Sequence, residues 1–261
     1  MSELRSTVHL PFLAQGDPAW PPVVLLHGLS DSWRSFEPVL PYLMSLRSIA
    51  VTQRGHGDAP KPDEGYDIEQ LAADVAGVLD DAGVSRAVVV GHSMGSLVAA
   101  RMAVDHADRV SGLVLMGAKP TFDVPELQGL FEAVATFEDP VDPGFIREFQ
   151  ESTVVRAVPP SIIDVAVAES RKLPARVWRA LAAEGLRADN TADLGRIEAP
   201  TLLIHGEQDA YVTREDQDVF LREIPDARLR VYEGTGHAMH WEDPARVAHD
   251  LMSFVADGTV D

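Results

Sequence analysis

Six short apolar runs, each closing at or near a glycine, constrain this chain more than any other feature. Val23-Val24-Leu25-Leu26 runs into His27-Gly28, and Ser48-Ile49-Ala50-Val51 into Gln53-Arg54-Gly55-His56-Gly57. Ala87-Val88-Val89-Val90 stops at Gly91, and Leu113-Val114-Leu115-Met116 at Gly117. Thr201-Leu202-Leu203-Ile204 ends at His205-Gly206, and Leu229-Arg230-Val231-Tyr232 precedes Glu233-Gly234. Most are solidly apolar, as strands covered on both faces are, and glycine makes the turns that end them.

Helical patterns lie between the runs. Residues 68–82 place Ile68, Leu71, Ala72, Val75, Val78 and Leu79 on one face, and residues 244–256 open with Pro244 in the first turn. Alternating strands and helices predict a parallel sheet covered on both sides, an α/β fold. The rhythm breaks between 122 and 196. That stretch holds four helix-like pieces, near 125–136, 143–152, 160–170 and 174–184, punctuated by prolines. We expect one α/β core, residues 1–121 and 197–261, with 122–196 inserted as a helical piece.

Composition narrows the function classes. A formal charge of −19 over 261 residues repels phosphate backbones, so nucleic acid is not an expected partner. Zero cysteines exclude a disulfide scaffold, a cysteine nucleophile and a thiolate metal site. No uninterrupted apolar run approaches the ~18 residues of a membrane span. The start, Met1 to Thr7, has no apolar stretch of signal-peptide length, so the expected location is cytoplasmic. The oligomeric state is left open.

Gly91-His92-Ser93-Met94-Gly95 follows the run 87–90 and opens a helical pattern, Met94–Val104. The bare Gly-x-Ser-x-Gly pattern turns up by chance in roughly one in ten chains of this length. Its strand-to-helix setting is far rarer. Such a turn strains its serine, and side chains two positions away would collide, so both flanking sites are glycine. The turn lifts the Ser93 hydroxyl clear of the sheet. A serine hydroxyl is a weak nucleophile and needs a base, which needs an orienting group. Asp209, in Gly206-Glu207-Gln208-Asp209, and His237, in Gly234-Thr235-Gly236-His237, follow in that order, each just past a strand. His240 reads as a packed or capping histidine. A His237–His240 metal pair lacks further ligands, so no metal is expected. Backbone N–H groups of Met94 and Leu29 are the expected oxyanion donors.

These motifs together resemble the α/β-hydrolase superfamily, and the likeness covers nearly the whole chain. His106-Ala107-Asp108-Arg109-Val110 is also typical of it. The resemblance implies an eight-stranded, mostly parallel sheet, with His27-Gly28 after the third strand and Arg54–Gly57 after the fourth. It also implies that 122–196 is a lid or cap over the site, and that no cofactor is needed. Branches with aspartate at the elbow are set aside, because that position is Ser93. Small carboxylesterases and lactonases are the nearest likeness, so the expected substrate is a small apolar ester or lactone. Monoacylglycerol lipases, carbon–carbon hydrolases, thioesterases, cofactor-free haloperoxidase/perhydrolases and hydrolase-like ligand sensors share the motifs and stay open. Candidate pocket residues are Trp33, Phe131, Phe137 and Trp178, with Phe145 and Phe149 beside them. Ordinary packing at helical spacing competes with that reading for each.

Overall fold

The computed structural model describes residues 8–258. Strand β1 is Phe12–Gln15, β2 Pro22–Leu26, β3 Arg47–Val51, β4 Ala87–His92, β5 Val110–Met116, β6 Thr201–Gly206 and β7 Ala227–Tyr232. They form one sheet in the order β1-β3-β2-β4-β5-β6-β7. Only β1 runs antiparallel, against β3; every other pairing is parallel. Helices α1, Ile68–Asp81, and α2, Met94–Asp105, follow β3 and β4, and α7, Arg214–Glu223, links β6 to β7. The four-residue α8, Met239–Glu242, and α9, Pro244–Gly258, close the chain. Helices α3, Pro125–Ala135, α4, Pro143–Glu151, α5, Pro160–Ser170, and α6, Ala175–Arg187, occupy the stretch between β5 and β6.

One expectation is corrected. The sheet has seven strands among the described residues, not eight. Only β1 precedes β2, and the described chain ahead of it, from Val8 to Pro11, is not in a strand. His27-Gly28 therefore follows the second strand and Arg54–Gly57 the third. Residues 1–7 lie outside the described residues.

The apolar runs are buried because both faces of the sheet are covered. On β2, Val24 and Leu26 pack into one core while Val23 and Leu25 pack into the other. Local chemistry sets the helix starts. Asp67 caps α1 by accepting from the Gln70 N–H, and Pro143 opens α4 behind the Asp142 cap. The Arg54 guanidinium grips the Asp74 carboxylate two-pronged, at 2.6 and 2.7 Å, deep beneath the turn after β3. The chain leaves β2 for β3 on one side and returns to β4 on the other. Such a reversal opens a crevice at the carboxyl ends of the two central strands. Among the described residues no helix is long and apolar enough to cross a membrane.

Candidate active site

Ser93 stands at the end of β4, in that crevice. Its backbone sits at φ 53°, ψ −122°, outside the favoured regions for a residue with a side chain. Such strain costs about 1–3 kcal/mol and persists only where the surroundings enforce it. The surroundings are tight. A methyl on Gly91 would lie 2.2 Å from the Gly95 carbonyl oxygen, and one on Gly95 would lie 2.5 Å from that of Leu26. The Ser93 N–H still donates to the Met116 carbonyl at 3.0 Å, so the elbow hangs directly off the sheet.

His237 and Asp209 come from the loops after β7 and β6. The His237 Nδ1 lies 2.8 Å from Asp209 Oδ2. The other oxygen, Oδ1, accepts the N–H groups of Tyr211 at 2.8 Å and Val212 at 3.0 Å. Burial works against the charged Asp209. The charge and hydrogen bond of His237, with the two N–H donors, outweigh it and hold its pKa below the usual carboxylate range. An ionised Asp209 accepts from Nδ1–H and leaves the Nε2 lone pair of His237 free to take a proton. Close approach again requires glycine, since a methyl on Gly117 would stand 3.0 Å from the His237 ring.

Ser93, His237, Leu29 and Met94 border one cavity of about 740 Å³, mouth included. Most of its wall is apolar: Phe122, Leu127, Leu130, Leu181 and Trp241 among others. Phe131 and Phe149 are there as well. Trp33, Phe137 and Trp178 do not border it, which corrects the expectation for those three. Trp178 has no exposed surface and sits 5.8–6.4 Å, ring to ring, from Phe137, Phe145 and Phe149, as the core of the helical layer. Trp33 packs on the other side of the sheet, with the Arg34 guanidinium 4.7 Å over its ring. His240 is packed, as expected: it is fully buried, with Nε2 2.9 Å from Ser35 Oγ.

Several residues of the site escaped sequence reasoning. His92, the residue before the nucleophile, donates from Nε2 to the His237 carbonyl at 3.0 Å and so ties the elbow to the histidine loop. Burial drives its pKa down to about 3, so it stays neutral. Its place inside the Gly91–Gly95 motif was the available signal. Asp31, Gln150 and Thr153 add a polar patch to the cavity wall, and Tyr211 lies with its ring 5.1 Å from that of His237. No arginine or lysine borders the cavity among the described residues.

A family model described as "Alpha/beta hydrolase family" matches residues 23–250, which spans the elbow and both partner loops. The chain belongs to the alpha/beta hydrolase family. It is an enzyme of that type, and its relatives include esterases, haloperoxidases and hydrolases. A non-heme haloperoxidase from Rhodococcus erythropolis is 32% identical over 258 residues, covering 90% of this chain and 92% of the relative. Among solved structures, a thermophilic esterase from Thermogutta terrifontis superposes with a TM-score of 0.85 at 27% identity, covering 95% of this hydrolase and 93% of the esterase. An N-acyl homoserine lactone degrading enzyme superposes with a TM-score of 0.80 at 30% identity, covering 94% of this chain and 96% of that one.

Proposed function

We propose that this hydrolase cleaves an uncharged, mainly apolar carboxylic ester or lactone through an acyl-enzyme on Ser93. The strained elbow beside the Asp209–His237 pair carries the reading. His237 takes the Ser93 proton as the hydroxyl attacks the carbonyl carbon. Asp209 keeps the proton on Nδ1 and stabilises the imidazolium that forms. The N–H groups of Leu29 and Met94 hold the oxyanion, and each such donor is typically worth 10²–10³ in turnover. His237 then protonates the leaving alkoxide. Water, deprotonated by His237, attacks the acyl-enzyme and releases the acid.

Residues 122–196 act as the cap in this reading. Helices α3, α4 and α6 supply Leu127, Phe131, Phe149 and Leu181 to the cavity wall, so they select the substrate. Charge selection follows from the same wall. A carboxylate on the substrate would meet a mainly apolar wall and no arginine or lysine among the described residues, which favours neutral esters over dicarboxylic substrates. The test is a panel of p-nitrophenyl esters, lactones and thioesters given to wild type and Ser93→Ala. Multiple turnovers by wild type, lost in the variant, support the reading. A single acylation without turnover would favour a ligand sensor, and equal rates for both proteins would sink the reading.

A further inference from the structure

The triad leaves unused a buried polar cluster where helices α4 and α5 touch the loop after β2. The Asp31 N–H reaches back to the Gly28 carbonyl at 3.4 Å, closing a turn with Leu29 and Ser30 at its centre. Ser30 has φ 67°, a left-handed value at the position where such turns ordinarily use glycine. Two side chains from the helices grip it. Gln150 Nε2 lies 3.2 Å from Ser30 Oγ, and Ser170 Oγ lies 3.1 Å from the same atom. Gln150 also donates to Ser170 Oγ at 2.9 Å and reaches Asp31 Oδ1 at 3.3 Å. One amide thus divides two N–H protons among three oxygens, all on buried residues.

A left-handed residue with a side chain persists only where its neighbours over-determine it. Here the neighbours are Gln150 and Ser170, and the residue just ahead of Ser30 is Leu29. We propose that Gln150 is a positioning residue: by holding Ser30 in this turn, it aims the Leu29 N–H at the oxygen that gains charge when Ser93 attacks. This rests on the ester-hydrolase reading above. Gln150 also borders the cavity, so the cap that selects the substrate also sets the geometry of the oxyanion site.

Gln150→Met keeps the length of the side chain and removes its donors. Its kcat falls about 30- to 100-fold while KM stays within about threefold, because a misplaced oxyanion donor weakens only the transition state. An arylboronic acid, tetrahedral once bound to Ser93, loses affinity by the same factor. A planar carboxylic acid product binds as before. Ser170→Ala removes one of the two grips and lowers kcat roughly three- to tenfold. Adding Ser30→Gly to Gln150→Met restores kcat by about tenfold, since glycine takes positive φ without strain. Wild-type kcat in Gln150→Met, an equal loss of planar-acid binding, or no recovery in the double variant would each overturn the proposal. Failure of the underlying reading shows separately, as undiminished turnover in Ser93→Ala on the same ester.

Discussion

Replacing Asp31 by asparagine removes a carboxyl group that is 5% exposed and whose pKa burial pushes up to about 7. Hydrogen bonds from Ser35 and Gln150 and the charge of His237 pull the other way, and Glu169 on α5 adds to the rise. In the unfolded chain the same group titrates near the usual ~3.9. From about pH 5 to about pH 7 the folded protein therefore keeps a proton that the unfolded chain has lost. Its contribution to stability is complete below the unfolded pKa and falls as pH rises through the folded one. Two pH units at about 1.4 kcal/mol each give ~3 kcal/mol lost over that window. Asparagine does not titrate, so the proton that Asp31 holds in the folded protein drops out of the variant's pH dependence. The assay is urea unfolding followed by tryptophan fluorescence, run above the isoelectric point near 4.7. The stability of Asp31→Asn relative to wild type should rise by ~3 kcal/mol between about pH 5 and about pH 8. A difference flat to within about 0.5 kcal/mol, or one that falls with pH, would refute the reasoning.

Two other perturbations follow from the packing. Gly117→Ala forces a methyl to within 3.0 Å of the His237 ring, at a backbone φ of 53°. Displacing a base by under an ångström costs about 10² in rate, so kcat/KM on a p-nitrophenyl ester should fall by roughly that factor while the fold survives. Asp74→Ala removes the carboxylate that Arg54 holds at 2.6 and 2.7 Å and to which Gln70 Nε2 donates at 3.0 Å, so three buried hydrogen bonds go at once. Urea unfolding should show a loss of about 3–5 kcal/mol, and a loss below about 1 kcal/mol would show that water reaches this pair.

The residues of the candidate site were legible in the sequence because each of them marks a local event. Ser93, Asp209 and His237 each follow a strand, and strands buried on both faces announce themselves as solid apolar runs. The helices between β5 and β6 were legible because prolines mark their starts: Pro125, Pro143 and Pro160 each stand at the first position of a helix. Strand β1 gave no such signal, since it is four residues at the sheet edge and only half-buried. The eighth strand was carried over from the resemblance, with no apolar run behind it. Aromatic residues failed as pocket markers because a ring stabilises a helical layer and a ligand wall by the same burial. Phe131 reached the wall, and Trp178 went to the core.

What the sequence concealed is held together by contacts between distant parts of the chain. Gln150 meets Ser30 and Asp31 across 120 and 119 residues, a distance that no motif spans. A glycine at position 30 would satisfy the turn without strain. Serine adds a hydroxyl there, and the Gln150 and Ser170 side chains both lie within hydrogen-bond distance of it. A local backbone rule is broken at Ser30, where side chains of α4 and α5 reach the loop after β2. A broken rule of this kind is where a functional constraint is to be sought. It becomes visible only once the sign of a single backbone angle is known.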